Sequence, residues 1–377
     1  MADITERDQG LAEYMKKALR EHLPACGVFE LTARCNLDCK MCYVHKTDAS
    51  EVRERELSTK EWEAIFDSAI SSGMKRALLT GGECLLRPDF NELYLYLHDR
   101  GVAVDVNTNG LLLTEEKVEL FDERRPNRLQ ISIYGSNNER YERVTGHRAF
   151  DRIIRSLDLL EAHNIKPVIA LTVSRYMSDD LILLVQLITK RKLRYKINFS
   201  LIESREDRDI DDYTLGIEDK IKLQKILNAL SGKIIKKTSC PALPAGCPAG
   251  TSEPIKYGMP CNAGNIAFSV TWEGKMALCL SFPEICADIR KEGFDACWRY
   301  IRETADKVVQ PPDCAGCAYV ARCPVCPAQR YNGLFSGQCR TEQCGETVKR
   351  YEAGLFSLAE PDNNNYQNDY DSDPYDI

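Results

Sequence analysis

Between residues 27 and 203 the sequence alternates short β-branched and aliphatic runs with amphipathic stretches, and that alternation restricts the possible folds most strongly. Strand-like runs fall at residues 27–32, 76–80, 102–107, 129–133, 168–173 and 195–201. The stretches between them suit crossover helices. In residues 58–71, Ser58 and Glu61 have capping-box spacing, and Trp62, Ile65, Phe66, Ala69 and Ile70 share one face. Strand, helix, strand order with crossovers of this length requires parallel pairing, with helices on the outside. Six units are too few to close an eightfold barrel. The expectation is an α/β fold, a partial barrel or curved sheet, with ligands at the carboxyl ends of its strands.

The text changes character after Glu203. A charged stretch leads to a helix near residues 217–230 and then to a proline-rich run, Cys240-Pro-Ala-Leu-Pro-Ala-Gly-Cys247-Pro, that cannot be regular structure. Residues 265–271 and 275–280 flank Trp-Glu-Gly as a hairpin, and helices follow near residues 294–307 and 347–358. This divides the chain into a helical arm (1–26), a barrel (27–205), a helical linker (206–239), a small cysteine-rich domain (240–358) and an acidic, disordered tail (359–377). In the arm, Leu11, Tyr14, Met15, Leu19 and Leu23 are expected on one side. The net charge of −7, without a dense Lys/Arg block, argues against nucleic acid as a partner. With no secretory segment and no apolar stretch of membrane-spanning length, the expected location is the cytoplasm, without a membrane partner.

Seventeen cysteines then need a role, because a reducing cytosol disfavours a disulfide framework and an odd number cannot pair completely. Five precede residue 200 and twelve lie between Cys240 and Cys344. Cys35, Cys39 and Cys42 form C-x3-C-x2-C directly after the first strand. Three thiolates on one short loop can hold three irons of a four-iron cluster, leaving the fourth iron open to a chelating ligand. The competing reading is a zinc loop that borrows His45. Three further strand ends are polar: Thr80-Gly81-Gly82-Glu83, Asn107-Thr-Asn109-Gly110 and Ser132-Ile-Tyr134-Gly135. Two glycines permit close backbone approach to a ligand, and Glu83 offers an acceptor for an ammonium group. Asp105, Arg175 and Glu203 also lie near strand ends, where a solvated or ion-paired role is commoner than that of a base.

Cys35 to Tyr43, Gly81 to Glu83, Asn107 to Gly110 and Ser132 to Gly135 together resemble the radical S-adenosylmethionine superfamily. The resemblance implies a partial (β/α)6 TIM-like barrel, a 4Fe-4S cluster on Cys35, Cys39 and Cys42, and S-adenosylmethionine bound to it. Gly81, Gly82 and Glu83 would meet the methionine amino group, Ser132 and Asn109 the ribose or carboxylate, and Tyr43 the adenine. Met41 stands where the family often has an aromatic, just before the third cysteine. Cys261-x12-Gly274-x4-Cys279 and Cys314-x2-Cys317-x5-Cys323-x2-Cys326-x17-Cys344 resemble the SPASM domain, with two residues where its second knuckle usually has three.

That second resemblance implies two auxiliary 4Fe-4S clusters, one on Cys261, Cys279 and Cys326 and one on Cys314, Cys317, Cys323 and Cys344. A fourth ligand for the first would come from Cys247 or Cys240, or be absent. Cys339 lies close enough in sequence to replace Cys344, and zinc sites are the alternative for these knuckles. Proteins with both domains mostly modify ribosomally made peptides through a 5′-deoxyadenosyl radical. The implied activity is a thioether or carbon-carbon crosslink or a related oxidation. Implied partners are a peptide, a separate leader-recognition protein, since about 26 residues before the first strand cannot hold a winged-helix domain, and an electron donor such as flavodoxin or ferredoxin. Alternatives are a tetrapyrrole or other small-molecule substrate, maturation of an anaerobic sulfatase, and a zinc-bound scaffold without catalysis.

Overall fold

A computed structural model describes residues 6–44, 49–201, 205, 209–230, 256–314, 317–320, 323 and 326–356. The first half runs α1 (Glu6–Glu21), β1 (Cys26–Glu30), α2 (Ala49–Arg55), α3 (Thr59–Ser71), β2 (Arg76–Thr80), α4 (Phe90–Asp99), β3 (Ala103–Thr108), α5 (Glu115–Glu123) and β4 (Arg128–Ser132). Then come α6 (Asn138–Thr145), α7 (Phe150–Ala162), β5 (Val168–Thr172), α8 (Leu181–Lys190), β6 (Arg194–Asn198) and α9 (Ile217–Leu230). The remainder comprises β7 (Ala267–Val270), β8 (Lys275–Ala277), β9 (Cys286–Asp288), α10 (Ile289–Glu292), α11 (Phe294–Asp306), α12 (Pro327–Arg330) and α13 (Thr341–Glu352).

Strands β1 to β6 pair in parallel in sequential order, the partial-barrel arrangement expected from the alternation. Ser58 caps α3 with the reciprocal Glu61 contact, and Trp62, Ile65, Phe66 and Ala69 are buried beneath it. Three boundaries move. The first strand stops at Glu30, which leaves Leu31 to Val44 as a loop, and the sixth stops at Asn198. The closing helix begins at Thr341, six residues before the expected 347. In α1, Tyr14 and Met15 pack inward beside Ala18, joined by Leu23 just after the helix, whereas Leu19 is exposed, because the inward stripe runs 14, 15, 18. The proline-rich run with Cys240 and Cys247, as well as His45, Glu203 and the acidic tail, lies outside the described residues.

The hairpin β7–β8 does not stand apart from the barrel sheet. β7 pairs in parallel with β1, and β8 and β9 follow antiparallel, giving one nine-stranded sheet in the order β6-β5-β4-β3-β2-β1-β7-β8-β9. β1 is therefore an interior strand, and every residue of β1 and β7 is buried. Phe29 of β1 meets Trp62, Phe66 and Phe268 edge-on, and Phe268 of β7 carries the aromatic contact onward to Phe294 and Trp298 of α11. The cysteine-rich part is thereby fixed to the strand that precedes the Cys35 loop. Phe268→Ala should cost about 3–5 kcal/mol and lower the melting temperature in a single transition followed by circular dichroism. A second transition, with the barrel's unchanged, would contradict a shared core.

Candidate functional site

The Cys35 loop is built onto β2 by backbone pairing. Leu31 donates its N–H to the Thr80 carbonyl, and the N–H groups of Gly82 and Glu83 donate to the carbonyls of Thr32 and Arg34, at 2.8 to 2.9 Å. A Cβ on Gly81 would lie 2.2 Å from the Thr32 oxygen, and one on Gly82 would lie 2.3 Å from the Arg34 oxygen. Gly81 also has a φ of 135°. The close approach expected of these glycines is thus made by the chain's own cysteine loop. The loop is braced again from the side, where Arg34 makes a paired contact with Glu56 at 2.9 Å through both guanidinium nitrogens.

This zipper delivers Glu83 into the interior, with 1% of its surface exposed. Its Oε1 accepts from the Leu85 N–H at 3.0 Å and the Thr108 hydroxyl at 2.8 Å, and its Oε2 accepts from the Asn109 N–H at 2.7 Å. Burial raises its pKa, against these three hydrogen bonds. The Cys84 thiol adds a long contact to Oε1 at 4.0 Å, and Oε2, with one bond accepted and about two acceptor positions, keeps one for an incoming cation. Asn109 joins β3's end to the cysteine loop: its Nδ2 donates to Asn36 Oδ1 at 2.7 Å and approaches Cys35 Sγ at 3.7 Å. Cys35, Glu83 and Asn109 therefore share one site. Ser132 ends β4 beside the half-buried Tyr134, whose electrostatic neighbours include Cys39 and Cys42.

Sequence reasoning missed two features here. Glu30, fully buried at the end of β1, is clamped by Arg205 through both oxygens at 2.7 and 3.0 Å. The Arg205 guanidinium lies 5.4 Å from the Tyr43 ring centre, and its backbone N–H donates to the Tyr43 carbonyl. Tyr43 is thus packed in an ion-pair cluster at the far end of the loop. The second missed feature is α6, whose Val144 and Thr145 carbonyls accept the backbone N–H groups of Lys40 and Asp38 at 3.1 and 2.9 Å. Its Asn-Glu-Arg-Tyr-Glu-Arg-Val-Thr sequence carries four charged residues in eight, so few apolar residues signal a helix. Asp105 is bound to Arg76 at 2.7 Å, and Arg175 is spent on the carbonyls of Asp211 and Thr214.

The C-terminal cysteines form two groups. Cys261, Cys279 and Cys326 influence one another electrostatically, and burial pushes Cys261 up to about 11 and Cys279 to about 12. In the second group Arg330 neighbours Cys314 and Cys323, with Cys339 beside Cys314 and Cys344 near Cys323. Cys314 Sγ is 3.0 Å from Cys339 Sγ, and that contact, with Arg330, lowers Cys314 to about 6. Thr347 donates to Cys323 Sγ at 3.7 Å. Cys317 and Cys344 line, with Cys314, Cys323, Cys326 and Cys339, a cavity of about 1970 Å³ that reaches Asn198, Phe199, Ser200 and Leu201 beyond β6.

Among the described residues no three His, Cys, Asp or Glu side chains converge on the position of a single ion. The three thiols of the Cys35 loop, with a buried Tyr141 hydroxyl that has no hydrogen-bond partner among the described residues, fit a polynuclear cluster that takes thiolates and hydrogen-bond donors. Glu83→Gln removes the charge offered to an ammonium group without touching a cysteine. It should weaken S-adenosylmethionine binding at least about tenfold, the worth of a hydrogen bond to a charged group, with iron content unchanged. Equal affinity in equilibrium dialysis would contradict this.

Residues 29–186 match the radical SAM superfamily. The chain is 28% identical to the AdoMet-dependent heme synthase of Methanosarcina barkeri over 338 residues, 82% of this chain and 92% of that protein. It is 29% identical to the sporulation killing factor maturation protein SkfB of Bacillus subtilis over 168 residues, 44% of this chain and 40% of SkfB's length. The fold is similar to Streptococcus suis SuiB bound to S-adenosylmethionine (TM-score 0.63, 16% identity, 89% of this chain and 81% of that one), a protein also solved with its precursor peptide SuiA. No helix among the described residues is long and apolar enough to cross a membrane. The match to the radical SAM superfamily, a family of enzymes, is thus carried by residues 29–186, with their cysteine loop at the carboxyl end of β1.

Proposed function

We propose that this enzyme modifies a peptide, forming a thioether or carbon-carbon crosslink. Cys35, Cys39 and Cys42 would hold the 4Fe-4S cluster. Glu83 and the backbone of Gly81 and Gly82 would receive the amino group of S-adenosylmethionine, with Asn109, Ser132 and Tyr43 around its remaining parts. Bound together, cluster and S-adenosylmethionine supply a strongly hydrogen-abstracting carbon radical. The protein's own contribution is to orient and enclose. Glu83 presents a desolvated carboxylate, Asn109 ties it to the loop, and the Glu30–Arg205 pair shuts the loop's far end. Cys261, Cys279 and Cys326, and the group around Arg330, would hold auxiliary clusters that accept an electron as product forms. Cys247 or Cys240 would complete the first if it has a fourth ligand, and a flavodoxin- or ferredoxin-like protein would supply the reducing electron.

The observation that carries the peptide reading is the cavity beside β6. Its volume exceeds the roughly 300–1,000 Å³ of small-molecule pockets, although the thiols on its wall would fill part of it with cluster. It lies along the end of β6, the last strand of the sheet, where an extended peptide can add as a neighbouring strand. The partial likeness to SkfB, a maturation protein, supports the same reading.

A second reading, oxidation of a tetrapyrrole, is favoured by the length over which the chain matches a heme synthase. The two separate in one anaerobic assay with S-adenosylmethionine and reductant. Short peptides encoded beside this chain should stimulate 5′-deoxyadenosine release and lose two hydrogens in mass. Stimulation by an iron-porphyrin precursor, with no peptide effective, would overturn the peptide reading.

A further inference from the structure

α6 lies against the cysteine loop, and the hydroxyl of its buried tyrosine has no hydrogen-bond partner among the described residues. The backbone N–H groups of Asp38 and Lys40, which flank Cys39, are bonded to the Thr145 and Val144 carbonyls at the end of α6. Tyr141, one turn earlier, is fully buried and packs edge-on against Tyr134, ring centres 6.2 Å apart. The helix cannot shift away to relieve it. Gly135 admits the α6 backbone so closely that a Cβ there would stand 2.4 Å from the Tyr141 nitrogen, and Asn137 caps the helix through the Arg140 N–H.

Among the described residues the Tyr141 hydroxyl has no hydrogen-bond partner, and the ionisable groups that act on it through space include Cys39, Cys35 and Glu83. Glu83 is already engaged by Leu85, Thr108 and Asn109. An unmet buried hydroxyl costs about 1–3 kcal/mol, and a phenylalanine would fill the same space without that cost. The oxygen is therefore explained by something that occupies the space between the thiols. Electron-rich cluster sulfurs are acceptors that need such a donor.

We infer that Tyr141 donates its hydroxyl hydrogen to the sulfur at the Cys39 side of the cluster, making it a residue that raises the cluster's reduction potential. The inference rests on the cluster reading of the Cys35 loop. Its test is an EPR-monitored redox titration of reconstituted wild type and Tyr141→Phe, following the signal whose g values move when S-adenosylmethionine is added. With iron content equal, the reduced-to-oxidised ratio of that signal at a fixed potential should fall at least threefold in Y141F, about 28 mV at about 59 mV per tenfold. An unchanged potential overturns the inference, and so does an unchanged potential with weakened S-adenosylmethionine binding, which would assign the hydroxyl to that ligand. If Y141F does not retain iron, 3-fluorotyrosine placed at position 141 decides. A more acidic phenol should raise the reduced fraction, and no change would overturn the inference. A wild type without any signal responsive to S-adenosylmethionine would remove the cluster reading itself, and this inference with it. An unshifted Y141F beside a responsive wild type removes this inference alone.

Discussion

The site depends on the backbone zipper between Leu31–Arg34 and Thr80–Glu83. Three hydrogen bonds at 2.8 to 2.9 Å fix a fourteen-residue loop, Leu31 to Val44, to the end of a parallel strand, and they form only because Gly81 and Gly82 carry no Cβ. Any side chain at either position would press on a backbone carbonyl, which cannot rotate away as a flexible side chain can. The same zipper turns Glu83 inward, so loop position and carboxylate position are set by one interaction. Placing an acidic group where water cannot reach it is costly, and the Leu85, Thr108 and Asn109 donors offset only part of that cost. A cation arriving at the remaining acceptor position relieves the rest.

A second constraint comes from the place of β1 in the sheet. Paired on both sides, it cannot move without disturbing β2 and β7 together, and the Phe29–Phe268 contact ties both to α11. Arg205 adds a polar link across the same region: it clamps Glu30, donates to the Tyr43 carbonyl, and reaches the Leu280 carbonyl at 3.4 Å. The ends of the cysteine loop and the start of the cysteine-rich part are thus held by one strand and one arginine. That arrangement gives a reactive centre rigid walls while β6, at the sheet's edge, borders the open cavity.

Much of this was legible in the sequence, for identifiable reasons. The six parallel strands show because each is a short apolar run between amphipathic stretches, and α3 shows because Ser58 and Glu61 mark its start. Glu83 and Asn109 were readable as strand-end polar residues, but their partners were not, since contacts across 26 residues leave no local pattern. The parallel pairing of β7 with β1 was hidden because a hairpin's motif specifies its own two strands and not a third neighbour. α6 was hidden because its charged residues outnumber the apolar positions that mark an amphipathic helix, and Tyr141 went unnoticed with it. The glycines were read as room for a ligand, whereas the first group to use that room is the chain itself.

The central claim is that the loop over Cys35, Cys39 and Cys42 holds the cluster to which S-adenosylmethionine binds. Its most direct test compares the anaerobically reconstituted wild type with the triple variant Cys35→Ala, Cys39→Ala, Cys42→Ala by iron analysis and EPR. The triple variant should lose about four irons per chain, one cubane's worth, and with them every spectral change caused by S-adenosylmethionine, while retaining the iron held by the C-terminal cysteines. An S-adenosylmethionine response that survives the triple substitution, or a wild type that carries zinc and little iron, would contradict the account.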